Sequence, residues 1–293
     1  HQVEAALFAF KSPLSKGAIL ADEVGLGKTI EAGIILSEFW AENKRNILIV
    51  VPASLRNQWN IELMEKFYLP SFIMDSNSFL EGKAQISKGA KSIYICSYNF
   101  AVSNAEYFKS INWDLIVFDE AHKLRNVYNK DNIMANTLRA SFRDYKKILL
   151  TATPLQNNLN ELYGLISIID PEFFSSPDTF AKQYNAVSTR DNAKYGELKG
   201  RIAHIIHRTL RNQVEEYVNF TKRIALVQKY YPSQAEITLY QQVSNYLMRE
   251  GTYGVPKRLR PLLSLSVRKI MSSSAYAFEY TLERFIHRLE VYK

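Results

Sequence analysis

Residues 17–36 read GAILADEVGLGKTIEAGIIL, and this stretch decides the fold. It begins with an apolar run of strand length, continues through a loop with two glycines, and ends in apolar residues at helical spacing. Gly25 and Gly27 let the backbone curl so that its N–H groups face phosphate oxygens, and Lys28 adds a positive charge. The hydroxyl of Thr29 is placed to hold Mg²⁺. The order of strand, loop and helix therefore predicts a site for the phosphates of a nucleotide.

The loop departs from the general phosphate-binding pattern at its first position, where Asp22 replaces a glycine. A glycine-rich turn that only caps a helix is the alternative interpretation of this segment alone. The choice between the two depends on what the rest of the chain places beside the loop.

Four further apolar runs of strand length occur at residues 46–51, 92–95, 114–118 and 147–150. Helix-like segments follow most of the runs, and this alternation is typical of a parallel sheet with helices on both faces. The sequence thus predicts an α/β, doubly wound domain. Polar residues follow each run, so we expect them at the carboxyl edge of the sheet, where open α/β sheets bind ligands.

Residues 115–122 read LIVFDEAH, an apolar strand that ends in two adjacent carboxylates. Asp119 is placed to bind the hydration shell of Mg²⁺, and Glu120 to orient and deprotonate the water that attacks the γ-phosphate. The alternative is a surface helix that starts with Asp119 as its N-cap. Because Lys28 and Thr29 follow an earlier strand of the same predicted sheet, the combination favours a magnesium–ATP site.

The composition is that of a large folded domain with a basic surface. The chain has 293 residues, of which 47% are apolar, and a formal net charge of +8. This charge favours an anionic partner such as nucleic acid or an acidic membrane surface, although a basic soluble enzyme has the same composition. No apolar stretch approaches the roughly 18 residues of a membrane span, and the single cysteine, Cys96, fits a reducing compartment. We expect a cytoplasmic, nucleoid-associated protein without a membrane partner.

The pattern changes to helices after residue 158. Helices are predicted over residues 158–169, 178–185 and 191–206, followed by one more strand over 223–231. From residue 233 onward the chain is again predicted to be helical. We therefore divide it into a nucleotide-binding domain, 1–231, and a helical extension, 232–293, and we expect the whole to be a fragment of a longer protein.

Three segments together resemble the Swi/Snf-type ATPases of helicase superfamily two: residues 22–29 (DEVGLGKT), 119–122 (DEAH) and 150–157 (LTATPLQN). An aspartate at the first loop position, as at Asp22, is typical of that family. Residues 22–33 are similar to its bacterial branch, which includes the RNA-polymerase-recycling ATPase. The resemblance implies a RecA-like first lobe, ATP and Mg²⁺ as cofactors, and double-stranded DNA as partner. RNA polymerase or another DNA-bound complex is the protein partner that it implies.

The resemblance also implies roles for single residues. The nucleotide-binding set, in which Gln2 reads adenine, is Gln2, Gly25, Leu26, Gly27, Lys28 and Thr29. The residues expected to track a nucleic-acid backbone, or to lie near the duplex, are Pro52, Ser54, Leu55, Ser97, Tyr98, Gln156 and Asn157. The residues expected to couple nucleotide state to that surface are His122, Thr151 and Thr153. For the segments that follow strands, ordinary turn and capping chemistry is the alternative.

These observations predict the first lobe of a motor that hydrolyses ATP to step along duplex DNA. Arginines of a second lobe complete the active site in this family, so the isolated chain should be almost inactive. Two alternatives stay open: a non-catalytic module that binds nucleic acid or polymerase, and a helicase that separates DNA or RNA strands. The prediction requires that Lys28 and the pair Asp119 and Glu120 converge across neighbouring strand ends.

Overall fold

The computed structural model describes residues 1–11, 16–185, 192–214, 226–249 and 260–291. The chain forms two compact units, unit 1 (His1–Phe220) and unit 2 (Thr221–Lys293), which we describe separately. The domain boundary that the sequence suggests at residue 232 stays a prediction. No helix within the described ranges is long and apolar enough to cross a bilayer.

Unit 1 is built on a sheet of seven parallel strands. In chain order the strands are β1 (Gly17–Leu20), β2 (Ile47–Val51), β3 (Ser71–Met74), β4 (Ile93–Ser97), β5 (Leu115–Phe118), β6 (Lys147–Leu150) and β7 (Ile206–His207). Their order across the sheet is β3-β4-β2-β5-β6-β1-β7. The five strands predicted from apolar runs all form, and the edge strands β3 and β7 were not predicted.

Helices cover the sheet on both faces. The helices of unit 1 are α1 (Gln2–Lys11), α2 (Lys28–Ala41), α3 (Arg56–Phe67), α4 (Phe79–Ser87), α5 (Tyr98–Ser103), α6 (Ala105–Lys109), α7 (Ile133–Ser141), α8 (Leu159–Ile169), α9 (Pro177–Phe180) and α10 (Asn192–Ile202). On one face of the sheet, α1, α2 and α3 pack against every second strand residue, such as Ile49. On the other face, α4 to α8 pack against the intervening strand residues, such as Val50. Strands buried on both faces have continuous apolar sequences. The predicted fold class is confirmed.

The chain after residue 170 departs from the prediction in detail. The helix expected over 178–185 consists of α9 and a π-helical segment, Ala181–Asn185. The helix expected over 191–206 ends at Ile202, because the chain turns and β7 then pairs with β1. Residues 226–231 form no strand, and 223–225 lie outside the described residues, so the strand predicted over 223–231 is wrong in its described part.

Unit 2 contains α11 (Gln234–Met248), α12 (Arg260–Ser273) and α13 (Ala275–Val291). Its small core includes Leu247, Val267 and Phe278, one from each helix. Ser233 begins α11 as N-cap: its hydroxyl accepts from the N–H of Glu236, whose carboxylate accepts from the N–H of Ser233. The predicted helical extension is confirmed.

Gly164 lets α8 pack directly on the backbone that follows the acidic motif, since a Cβ at this position would overlap the main-chain carbonyl of Arg125. Replacing Gly164 with Ala is expected to lower the free energy of unfolding of unit 1 by about 1–3 kcal/mol, the usual cost of overpacking. All three tryptophans lie in unit 1, so denaturant unfolding followed by tryptophan emission measures this change.

The matched control for this prediction is Gly196→Ala. Gly196 lies in α10, and a Cβ there would meet nothing within 4 Å. Alanine favours a helix over glycine by up to about 1 kcal/mol, so this variant should be as stable as the parent or more stable. Equal stability of the two variants would contradict the close approach at Gly164.

Candidate nucleotide site at the carboxyl edge of the sheet

The loop between β1 and α2, residues 21–27, is shaped by glycines in the left-handed region. Gly25 has φ 86° and Gly27 has φ 92°, and a Cβ on Gly27 would collide with the side-chain amide of Gln2. The helix α2 begins at Lys28 with Gly27 as N-cap and without a side-chain cap. The positive end of the helix and the loop backbone therefore face the same space, as a phosphate cradle requires.

The ammonium group of Lys28 lies within this loop. Its Nζ donates to the main-chain carbonyls of Asp22 and Glu23, at 2.9 and 3.4 Å. Both acceptors are neutral carbonyls, and among the described residues no carboxylate forms an ion pair with Lys28, so its charge is available to phosphate oxygens. Gln2 approaches from α1, where its Nε2 donates to the carbonyl of Leu26 at 2.9 Å. The structure thus brings the predicted nucleotide-binding residues together, and the adenine contact of Gln2 stays a prediction.

Asp22 and Glu31 form a buried carboxyl pair beneath the loop, and both side chains are fully buried. Asp22 Oδ1 accepts from the N–H of Thr209 at 2.7 Å. Burial, and then the charge of Asp22 and a hydrogen bond to it, raises the pKa of Glu31 to about 8. A pKa near 8 leaves Glu31 largely protonated at neutral pH, beside Asp22. Asp22, which replaces the glycine at the first loop position, thus bonds the backbone of Thr209 and lies beside Glu31.

The segment after β7 holds the loop from the outside. The N–H of Glu23 donates to the carbonyl of Thr209 at 3.2 Å, and the N–H of Arg211 donates to the Glu23 carboxylate at 2.9 Å. The Arg211 guanidinium also donates to the carbonyl of Val24, at 3.0 Å from Nε. Arg211 therefore contacts the phosphate loop through both its main chain and its side chain.

The acidic motif follows β5, and β6 separates β5 from β1. The expectation that Lys28 and the two carboxylates follow neighbouring strands is therefore wrong. Burial, together with the charge of Glu120, raises the pKa of Asp119 above its usual value, although hydrogen bonds from Trp59 and from the N–H of Glu120, and the charge of Lys28, act in the opposite direction. Because the three strands are parallel, the phosphate loop and the acidic motif still lie at one edge of the sheet.

Glu120 has the left-handed conformation, with φ 51° and ψ 45°. Few non-glycine residues adopt it, and such strain is concentrated at functional sites. Its carboxylate is 39% exposed, and Oε2 lies 3.0 Å from Nδ1 of His122. The Glu120 carboxylate is thus accessible to a water molecule while it contacts the imidazole of His122.

The end of β6 lies between the loop and the acidic motif. Thr151 is buried, its N–H donates to the carbonyl of Leu20 at 3.0 Å, and its hydroxyl accepts from the N–H of Thr153 at 3.2 Å. Both threonines thus lie between the two halves of the candidate site.

A buried glutamate that the sequence did not reveal shapes the loop after Thr153. Glu161 accepts from the N–H groups of Gln156 and Asn157 and from the Asn157 side-chain amide. Arg125 follows the acidic motif, and its Nε lies 3.6 Å from Oε1 of Glu161. Its guanidinium also donates to the side-chain Oε1 of Gln156 at 2.6 Å. Gln156 and Asn157 are exposed, so Glu161 and Arg125 present them at the surface.

The other predicted nucleic-acid residues lie at the carboxyl ends of β2 and β4. Pro52 precedes a 3₁₀ turn, Ala53–Leu55, in which Ser54 is exposed. Ser97 caps α5 by accepting from the N–H of Phe100 at 3.3 Å, the capping chemistry that the sequence left open. Tyr98 is buried, so its side chain is not presented to a partner. Nucleic-acid contacts by these residues stay a prediction.

Two buried aromatic side chains reach Asp119 from these segments. The indole Nε1 of Trp59, in α3, donates to Asp119 Oδ2 at 2.8 Å, and the hydroxyl of Tyr98 donates to the Asp119 main-chain carbonyl at 2.7 Å. Sequence reasoning missed Trp59. A tryptophan in the helix after a strand is ordinarily a core residue, and the sequence pattern does not indicate which acceptor its N–H will bond.

Comparison with known proteins agrees with this geometry. Residues 1–275 match the SNF2-related domain family. The chain belongs to this family. An uncharacterized ATP-dependent helicase, YqhH of Bacillus subtilis, is 31% identical to this SNF2-related chain over 99% of the chain and 49% of YqhH. The RNA polymerase-associated protein RapA of Photobacterium profundum is 36% identical over 56% of this chain and 18% of RapA.

Among solved structures, the SWI2/SNF2 ATPase core of Sulfolobus solfataricus in complex with double-stranded DNA superposes with a TM-score of 0.63 and 21% identity. It covers 92% of the SNF2-related chain, which spans 57% of that core. At this identity the comparison shows the fold alone. The SNF2-related chain spans about half of YqhH and less of RapA, so these relatives contain sequence beyond the region compared.

Proposed function

We propose that this SNF2-related chain is the first ATP-binding lobe of a motor that moves along double-stranded DNA. The observation that carries the proposal is that the phosphate loop with Lys28 and the acidic motif with Asp119 follow strands β1 and β5, which end at the same edge of the parallel sheet with only β6 between them. Membership of the family, and the duplex bound to the Sulfolobus core, support it. The accessible, left-handed Glu120 beside that pair supports hydrolysis rather than nucleotide binding alone.

The nucleotide roles follow from the donors that the loop offers. Lys28 and the backbone N–H groups of residues 25–29, including Leu26, would bind the β- and γ-phosphates, with Gln2 directed to adenine. Thr29 and Asp119 would hold the hydrated metal through oxygen atoms, which Mg²⁺ prefers. Bound Mg²⁺ supplies charge neutralisation at the phosphate oxygens. Glu120 would accept the proton of the attacking water.

The nucleic-acid roles concern the same edge of the sheet. Serine hydroxyls, main-chain N–H groups and amide side chains suit contacts to phosphate, which position a duplex without reading its sequence. The proposed contact residues are Pro52, Ser54, Leu55, Ser97, Gln156 and Asn157, whereas the buried Tyr98 contacts Asp119 instead. His122, Thr151 and Thr153 would couple them to the nucleotide. The net charge of +8 supports an anionic partner.

Arginines of a second lobe would complete the active site, so we propose that the 293-residue chain alone hydrolyses ATP poorly. The similarity to RapA suggests RNA polymerase, or another complex bound to DNA, as an obstacle or partner. A motor of this kind would work on the nucleoid, in the cytoplasm.

The test is ATP hydrolysis by the full-length protein in the presence of double-stranded DNA, single-stranded DNA or RNA, with Lys28→Ala as the inactive control. We expect duplex DNA to stimulate turnover most. A preference for single strands would favour the strand-separating helicase instead. If the protein with Lys28 intact shows no turnover with any nucleic acid, the non-catalytic binding module replaces the motor.

A further inference from the structure

The environment of Asp119 points to a specific connection between the two functions proposed above, on which this inference rests. Both oxygens of its carboxylate are held, since Oδ2 accepts from Trp59 at 2.8 Å and Oδ1 from the N–H of Glu120 at 2.8 Å. Its main-chain carbonyl accepts from Tyr98 at 2.7 Å. The orientation of the metal-binding carboxylate is thus fixed by groups from two other elements.

Each aromatic donor belongs to a helix that starts at a proposed nucleic-acid segment. Trp59 lies four residues after Leu55, one helical turn beyond the 3₁₀ turn at the end of β2. Tyr98 is the first residue of α5 and follows Ser97 directly. A shift of either segment therefore reaches Asp119 through one helical turn or one peptide bond.

The two side chains are also rigid enough to transmit such a shift. Trp59 is 2% exposed and Tyr98 is 4% exposed, and each packs in one of the two cores of unit 1, on opposite faces of the sheet. Buried side chains that interdigitate do not move independently of the elements that carry them.

We propose that Trp59 and Tyr98 are positioning residues that tie Asp119 to the strand-end segments 52–55 and 97–98, so that nucleic-acid binding at these segments sets the orientation of Asp119 and Glu120. Through its bond to the Asp119 carbonyl, Tyr98 holds the peptide that leads into the left-handed Glu120. The two residues act from the two faces of the sheet on one carboxylate.

The proposal predicts a thermodynamic linkage that can be measured without turnover. If duplex binding orients Asp119, it changes the affinity for the magnesium-bound nucleotide by some factor. The magnesium-bound nucleotide must then change the affinity for the duplex by that same factor. The measurement is the dissociation constant of the full-length protein for a short fluorescent duplex, with and without Mg²⁺ and a non-hydrolysable ATP analogue. We expect a factor within the usual range of about 5- to 150-fold for the parent protein.

Tyr98→Phe removes one hydroxyl, and Trp59→Phe removes the indole N–H. In each variant the factor should fall at least about threefold, and in the double variant it should approach one. Tyr98→Phe is nearly isosteric and should fold. It therefore still tests the proposal if the Trp59→Phe variant does not fold.

The matched controls are Trp113→Phe and Tyr94→Phe. Trp113 is buried and donates to the carbonyl of Phe108 at 2.8 Å, and Tyr94 is a buried tyrosine of β4. A merely structural role for Trp59 and Tyr98 would give these controls the same loss, which would overturn the proposal. A factor of one in the parent, or an unchanged factor in both test variants, would overturn it as well. Stimulation of ATP hydrolysis by duplex DNA in the same parent protein is measured separately, so failure of the linkage alone leaves the motor intact.

Discussion

Replacing Glu120 with Gln in the full-length protein is expected to lower ATP turnover by about 10²- to 10⁴-fold, the usual contribution of a general base. Glutamine keeps the size of the side chain but accepts no proton from water. It is also not a glycine, so the cost of the left-handed conformation at this position is unchanged. ATP binding, measured with a fluorescent analogue, should persist because the phosphate loop is untouched.

The control for Glu120→Gln is Glu65→Gln, which makes the same chemical change at an exposed position of α3. It should hydrolyse ATP as the parent does. Turnover of Glu120→Gln within about threefold of the parent would mean that this carboxylate is not the base, since a loss below tenfold is smaller than general-base catalysis explains.

Replacing Glu31 with Gln is expected to stabilise unit 1 increasingly as the pH rises. The pKa of Glu31 is raised from its model-peptide value, near 4.5, to about 8 in the folded chain. Below 4.5 both states hold the proton; between 4.5 and 8 only the folded state does, so the stability linked to that proton is lost as the pH rises through this window. Glutamine donates to Asp22 at every pH and loses nothing.

The measured quantity is the free energy of unfolding from tryptophan emission, in buffer with a chelator and no nucleotide. Between pH 5 and pH 9 the advantage of Glu31→Gln over the parent should grow by about 2–4 kcal/mol. The control is Glu38→Gln, an exposed glutamate of the same helix, whose difference from the parent should stay flat. A flat difference for Glu31→Gln as well would mean that the pair with Asp22 shares no proton.

The sheet could be predicted because its central strands are buried on both faces and are therefore apolar throughout. The strand β3 is half-buried at the edge of the sheet, and β7 has two residues, so neither carries that signal. The helix predicted through residue 206 was too long because apolar residues continue into β7. A helical pattern does not show where the chain turns to pair with a distant strand.

Within the site, the sequence identified the residues whose type and spacing carry chemistry, such as Lys28 and Asp119. It did not identify the residues that hold these side chains in place. Glu31 occupies an ordinary helical position, and its protonation depends on Asp22 facing it. Tyr98 was assigned to the surface by resemblance, whereas packing turns it inward to Asp119. Such partners are fixed by three-dimensional contacts that local periodicity does not encode.

The bond from Thr209 to Asp22 joins residues 187 positions apart. During synthesis on the ribosome, the phosphate loop leaves the exit tunnel long before the segment that fastens it has been translated. Because residues 209 and 211 must be translated before these bonds can form, the loop reaches its fully hydrogen-bonded shape only late in the synthesis of unit 1.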